Sequence, residues 1–251
     1  MNSLELFKTQ KFYQIDISIL KDLGYDVLLS NRIFDSLLFW KYDILFSYFY
    51  RYSFFAALLA KCFGKKTYFT GGIDSLDSDY ASAFNYKIQA LFFKLCYWVA
   101  DSCIIVSQSD LKNIFKVSSL KKKLSYSEHV INTKLFIADV PKEKIFTSIV
   151  WMGDEGNVVR KGVDKALQIF AELKKIPEFV DYRFVIIGRK GEGEVLVRSI
   201  IDKYNLKGSV ELKGEVSEED KINLLKQSKY YFQLSLYEGF GLAALEALCA
   251  N

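Results

Sequence analysis

The stretch "SLYEGFGLAALEAL", residues 235–248, decides how this 251-residue chain is read. An apolar run of strand character, "YYFQLSL", leads into it, "YEGFG" makes a turn, and "GLAALEAL" is a helix rich in small residues. Gly239 and Gly241 permit a tight turn and close approach of a ligand to the backbone. Ala243, Ala244 and Ala247 let the helix pack near its neighbours, and the backbone N–H groups at its start suit a phosphate. Glu238 lies on the loop and Glu246 about one turn inside the helix, so the two carboxylates reach separate parts of one extended polar ligand. The same acids also read as a solvated loop acid and an exposed helix acid, and spacing alone leaves the chemistry open.

Working back from this motif, strand and helix signals alternate. "KIFTSIVWMG" reads as a strand and "VDKALQIFAELKKI" as an amphipathic helix whose Val163, Ala166, Leu167, Phe170 and Leu173 share a face. "YRFVIIG" and "SVELKGEV" are further strands, "EVLVRSIIDKY" a helix, and "SEEDKINLLKQS" a helix capped by Ser217 with Asp220 in the capping-box position. The first half is similar. "FYQIDISILKDLG" predicts a helix, "YDVLLS", "YDILFSYF", "KKTYFTGG" and "DSCIIVSQ" predict strands, and "RYSFFAALLAKCFG" predicts a helix ended by Gly64. A helix is expected over 81–99, and Ser109 is the expected cap of another at "SDLKNIFK". Alternation at this spacing implies βα units around parallel sheets, hence an α/β fold of two Rossmann-like domains. Pro141 and its charged neighbours mark the boundary, giving domains 1–139 and 140–251. The first element is a helix rather than a strand, and the last stops within or just after one. The expectation is a chain lacking its first strand and an incomplete C-terminal domain.

Composition narrows the class. Hydrophobic residues make up 51% and charged residues 25%, which fits a globular chain rather than a disordered one. No apolar stretch reaches the about 20 residues of a membrane-spanning helix, and the N-terminus lacks signal-peptide features. Cys62, Cys96, Cys103 and Cys249 have neither metal-ligand nor disulfide-framework spacing, and His129 is the sole histidine, so no metal site is expected. These features suit a cytoplasmic protein with reduced thiols. Residues 1–139 carry 17 Lys/Arg against 13 Asp/Glu. Lys61, Lys65, Lys66, Lys112, Lys116 and Lys121 to Lys123, with Phe and Trp nearby, suit contact with an anionic membrane, or simply solubilise the surface. No base-reading module accompanies them, so nucleic acid is not expected.

"EGFGLAALEAL" closely resembles the Glu-x7-Glu segment of the family 4 (group 1) retaining, nucleotide-sugar-dependent glycosyltransferases of GT-B fold. "FTSIVWMGDEGNVVRKGVDKALQIFAEL", "RFVIIGRKGEGE" and "SVELKGEVSEEDKINLLKQSKYYFQLSL" resemble that family's preceding segments in its order, covering 144–250. Residues 24–136 are similar more loosely, through "ADSCIIVSQSDLKNIF" and "HVINTKLF" with Asn132 and Phe136. The resemblance implies transfer of a hexose from a UDP- or GDP-sugar to a glycan or lipid-linked acceptor, with retention of anomeric configuration and no separate cofactor. The pathway it implies is surface polysaccharide synthesis, at the inner face of the plasma membrane. The family habit puts the acceptor on the first domain and the donor on the second. Carried over, Glu238 contacts the donor sugar. Backbone groups of Phe240, Gly241 and Leu242 hold sugar or diphosphate oxygens, and Glu246 binds the ribose. Lys161, with Arg160 beside it, neutralises the diphosphate as the glycosidic bond breaks. Gly188, in the turn after the domain's second strand, is carried over with the donor-binding residues.

The chain departs from the family pattern at three places. Asp154 stands where the family commonly has an Arg, and "GRKGEG" replaces a Gly-Asp-Gly-like turn. At "YFTGGID", Thr70 and Gly71 replace an expected histidine, leaving Gly72 and Asp74 to line the cleft, while His129 reads as structural. "DSD" at 77–79 reads as a solvated loop or helix start rather than a metal motif. Incomplete ends and the altered "GDEG" segment motivate an alternative, a non-catalytic nucleotide-sugar-binding fragment or partner subunit. A dinucleotide oxidoreductase is disfavoured because "GRKGEG" lacks the Gly-x-Gly-x-x-Gly spacing.

Overall fold

The computed structural model describes residues 4, 7, 11–76, 83–117, 122–137 and 139–250. The "DSD" at 77–79 and Lys121 lie outside the described residues. The chain forms two compact units, Met1–Val130 and Ile131–Asn251. Residues 131–137, expected with the first domain, contribute Ile131 and Phe136 to an apolar cluster with Leu225, Ala247 and Ala250. Burial of Phe136 therefore ties this stretch to the second unit, ahead of the polar passage around Pro141.

In the first unit, α1 (Lys11–Asp22) precedes β1 (Ile44–Tyr48), α2 (Tyr50–Cys62), β2 (Lys66–Thr70), α3 (Ala83–Val99), β3 (Ser102–Ile105), α4 (Gln108–Val117) and β4 (Leu124–Tyr126). The strands form a parallel sheet in the order β1-β2-β3-β4. Tyr50, Phe69, Phe93, Cys96, Cys103, Ile105 and Ile114 pack its core. Two local expectations fail here. "YDVLLS", 25–30, is no strand, and Leu28 and Leu29 face solvent. Strand propensity forms a ladder only where a neighbouring backbone supplies hydrogen bonds. The cap of α4 is Ser107, not Ser109: the Asp110 N–H donates to Ser107 Oγ at 3.0 Å. Asp110 in turn accepts from the Val106 N–H at 3.2 Å, a reciprocal arrangement that starts the helix earlier.

The second unit runs β5 (Glu143–Ile149), α5 (Glu155–Arg160), α6 (Val163–Leu173), β6 (Arg183–Ile187), α7 (Glu194–Lys203), β7 (Val210–Gly214), α8 (Glu218–Gln227), β8 (Ser228–Tyr231) and α9 (Leu242–Cys249). Its strands are parallel in the order β7-β6-β5-β8. The core gathers Phe146, Met152, Val158, Leu167, Phe170, Phe184 and Val197, and the expected face of α6 is turned into it. The strand read as 230–236 ends at Tyr231: beyond it the Phe232 N–H still donates to the Thr147 carbonyl, but its carbonyl accepts from the Ser148 side chain rather than from a backbone N–H, and the chain then leaves the sheet. From β5 the chain moves outward through β6 to β7, then returns to β8 on the other side of β5. Such a reversal opens a crevice at the carboxyl ends of the two strands, where open α/β sheets bind ligands. The loops entering that crevice are 150–162 and 232–241.

All four cysteines are free, with Cys96 and Cys103 buried. Among the described residues no helix is long and apolar enough to cross a membrane.

Candidate functional site

The site is built where those two loops meet. After β5, Asp154 caps α5: its Oδ1 accepts the Asn157 N–H at 2.6 Å. Asp154 is thus committed to starting a helix. Asn157 also donates to the Trp151 carbonyl and accepts from Arg160 at 2.7 Å. The helix turns at Gly162, whose φ of +67° favours glycine and whose added Cβ would lie 2.1 Å from the Leu234 carbonyl oxygen. Only glycine lets the α5–α6 corner press against the segment after β8. That contact is secured by the Leu236 N–H to the Arg160 carbonyl at 2.8 Å and by the Arg160 guanidinium to the Tyr237 carbonyl at 3.3 Å.

This corner aims Lys161 at Glu238. Lys161 Nζ and Glu238 Oε1 are 2.5 Å apart, with side chains 20% and 25% exposed. The same oxygen accepts from Gln233 Nε2 at 2.6 Å and Ser235 Oγ at 2.7 Å. Tyr231 orients the amide by donating to Gln233 Oε1 at 3.0 Å. Burial holds the Tyr231 phenol well above its ordinary pKa, opposed by a backbone hydrogen bond at Ile149 and reinforced by the charges of Glu238 and Glu246. A phenol that keeps its proton fixes Gln233 with Nε2 toward Glu238.

Glu246 is buried in α9, and both its oxygens meet Lys221 Nζ, at 2.7 and 2.8 Å. The sequence motif placed the two acids; the structure adds that each is partnered by a lysine. Gly241, with φ of +83°, begins α9, and no side chain caps that end. Nothing lies within 4 Å of a Cβ added at Gly239 or Gly241, so this turn has open space beside it. Phe240 and Leu242 flank it and are half-buried.

Gly188 has a packing role. Its φ is +129°, and an added Cβ would stand 2.1 Å from the Val150 carbonyl oxygen. Gly191 and Gly193 likewise face the carbonyl oxygens of Met152 and Asp154 at 2.6 and 2.5 Å. The "GRKGEG" glycines let the loop after β6 pack backbone to backbone against the loop carrying Lys161. Gln233, Ser235, Tyr231 and Lys221 were not foreseen. The first two lie within the run read as strand and Lys221 within an ordinary amphipathic helix, so no local pattern marks them.

In the first unit, Thr70 ends β2, and Gly71 and Gly72 follow it at positive φ beside Phe49. His129 lies elsewhere, near Asp16, whose Oδ2 accepts from the Tyr48 hydroxyl at 2.8 Å. Among the described residues, no group of three or more His, Cys, Asp or Glu is placed to hold a metal ion.

Residues 156–251 match the family described as "Glycosyl transferases group 1". Over 95 residues, 37% of this chain and 24% of the relative, the sequence is 35% identical to GDP-mannose:cellobiosyl-diphosphopolyprenol alpha-mannosyltransferase of Xanthomonas oryzae pv. oryzae (strain PXO99A). Over 95 residues, again 37% of this chain and 24% of the relative, it is 33% identical to the enzyme of the same name from Xanthomonas campestris. These matches span about a quarter of the relatives' length. Among solved structures, Anabaena HepE in complex with UDP and glucose superposes with a TM-score of 0.70 at 14% identity, over 87% of this chain and 60% of that one. Sucrose-phosphate synthase from Thermosynechococcus elongatus gives 0.66 at 18% identity, over 84% and 54%. The two parallel-sheet units therefore have the GT-B glycosyltransferase fold, and the second unit, over residues 156–251, is similar to the group 1 glycosyltransferases.

Proposed function

We propose that the chain is a retaining hexosyltransferase that takes its sugar from a UDP- or GDP-linked donor held by the second unit. One observation carries the reading: the β5–β8 crevice gathers a lysine, an uncapped helix start and two partnered carboxylates. Each suits one part of a nucleotide sugar. Lys161, with Arg160 behind it, faces a diphosphate, stabilising the negative charge that grows as the glycosidic bond breaks. Backbone N–H groups at Phe240, Gly241 and Leu242 receive phosphate or sugar oxygens. Glu238 accepts hydroxyls of the transferred sugar, and Glu246 those of the ribose. Gly188 acts through the backbone packing that holds the Lys161 loop. No enzyme nucleophile is assigned to Glu238, since its Oε1 is committed to three donors.

The first unit, on this reading, receives a glycan or lipid-linked acceptor for surface polysaccharide synthesis, at the inner face of the plasma membrane. Part of the basic surface is spent locally. Lys61 pairs with Asp101 and Lys65 with Asp43, and Lys123 Nζ donates to the carbonyls of Tyr97, Trp98 and Ala100 at the end of α3. Membrane contact is better supported by Leu28, Phe34 and Trp40, all exposed, in a segment flanked by Lys21 and Lys41. Sedimentation with anionic vesicles at low salt, lost when Phe34 and Trp40 become Ser, tests it; no sedimentation at any salt rejects it.

The donor assignment is tested by calorimetry with UDP, GDP and their sugars on the intact chain and on Glu246→Ala. Saturable binding of one nucleotide, weakened in the variant, and an NMR-identified product with the donor's anomeric configuration support the reading. An inverted product removes retention. Binding without transfer or hydrolysis, with glycan acceptors present, favours the alternative of a donor-binding partner subunit.

A further inference from the structure

Helix α9 reads Leu-Ala-Ala-Leu-Glu-Ala-Leu-Cys, with one acid among apolar residues. That acid is buried, beside an apolar cluster that includes Ala247, Ala250 and Leu225. Its partner comes from α8: Lys221 Nζ lies 2.7 and 2.8 Å from the two oxygens of Glu246 and 3.0 Å from Glu218 Oε1. Two of the ammonium's three N–H donors are spent on Glu246, and Glu218 forms an ion pair with the same nitrogen. Lys221 is thus held between two carboxylates.

The pair's location argues against a role in stability alone. Its side chains are 15% and 11% exposed, and desolvation of two ions this far inside consumes most of their attraction. Apolar side chains of similar volume would fill such a site about as well. The arrangement instead controls what the carboxylate offers. Each oxygen accepts one ammonium hydrogen and keeps one further lone-pair direction. Two adjacent acceptors of fixed orientation, with their charge neutralised, match a vicinal diol and do not repel a nearby diphosphate.

We infer that Lys221 is a positioning residue for the nucleoside: it clamps Glu246 so that the carboxylate reads the 2′,3′-diol of the donor's ribose. This rests on the donor site proposed above. It makes Lys221, which touches no ligand, the residue that sets discrimination between ribonucleotides and 2′-deoxyribonucleotides.

The experiment measures Kd by calorimetry for UDP, GDP and their 2′-deoxy counterparts. For whichever base binds, the wild type is expected to favour the ribonucleotide by about 10-fold or more, the worth of one hydrogen bond to a charged group. Lys221→Met is expected to bring that ratio to within about threefold of unity, leaving the deoxynucleotide's Kd nearly unchanged. Glu246→Gln should also shrink the ratio, and the double variant should lose nothing more. Lys221→Arg keeps the charge and is expected to recover part of the discrimination. If Met at 221 does not fold, Lys221→Gln reads the same ratio. A Lys221 variant that weakens both nucleotides equally has only a structural role, and the inference falls. So does an unchanged ratio. If the folded wild type binds neither UDP nor GDP, the donor-site reading itself fails and takes this inference with it.

Discussion

Lys161 and Glu238 are 77 positions apart in sequence and meet at 2.5 Å. The contact exists because Gly162 lets the α5–α6 corner close on the segment following β8, joining two loops at the switch between β5 and β8. Separate loops bring a cation and an acid to the carboxyl ends of a parallel sheet, the place where open α/β sheets bind ligands.

On the proposed reading Lys161→Met is expected to lower sugar transfer about 10²–10³-fold, because it would remove the charge that stabilises the leaving diphosphate. Lys161→Arg should retain part of the rate. Steady-state kinetics on the identified donor, with melting temperature as a folding control, decides it. Unchanged kcat in a folded Met variant would exclude Lys161 from catalysis.

Gln233 gives a narrower test. Its amide passes the orientation set by Tyr231 to Glu238 Oε1. Gln233→Leu is expected to reduce kcat/KM about tenfold, as one hydrogen bond to a charged acceptor is lost. On the proposed reading Glu238 serves the sugar and not the nucleotide, so nucleoside diphosphate affinity should stay nearly unchanged. Comparing the two constants across UDP, GDP and the intact donor separates these effects.

These residues show what the sequence reveals and what it hides. The fold is legible because burial on one face leaves a period: Val163, Ala166, Leu167 and Phe170 mark α6, and the continuous apolar run Phe184–Ile187 marks β6. Glu238 and Glu246 are legible because a strand, a glycine turn and a small-residue helix leave a local signature. Lys221, Gln233 and Ser235 leave none, since their partners lie on other elements or across a turn and periodicity carries no tertiary pairing. "YDVLLS" fails for a related reason. Propensity is a property of the segment, whereas a strand requires a partner that the segment does not encode.

Gly162 is expected to resist substitution. A Cβ there would lie 2.1 Å from a backbone oxygen at a φ of +67°, so neither a side-chain shift nor a backbone adjustment relieves it cheaply. Gly162→Ala should destabilise the second unit by about 2–4 kcal/mol, combining overpacking with left-handed strain. At Gly239 an added Cβ meets nothing within 4 Å, and Gly239→Ala should cost less than about 1 kcal/mol. Chemical denaturation of the two variants side by side measures the difference. Equal stability would remove the packing account of the corner.

The sole histidine offers a test of the first unit. Burial pushes His129 below its ordinary pKa, while the charge of Asp16 acts in the opposite direction. Asp16 itself is raised, chiefly by burial, against the hydrogen bond from Tyr48 and the attraction of His129. Tyr13 also faces Asp16, and both Tyr13 and Tyr48 are held protonated, mainly by burial. The signs oppose. Stability from His129 is present above its unfolded value of about 6.5 and is lost as pH falls through the lower folded pKa. Stability from Asp16 is fully present below about 3.9 and is lost as pH rises through its higher folded pKa. Asp16→Asn removes the charge that favours imidazolium, so the His129 midpoint should move further down. Because only one histidine exists, its imidazole NMR resonance reports the titration without assignment. A wild-type midpoint at or above about 6.5, or an upward shift in Asp16→Asn, would overturn the account of this cluster.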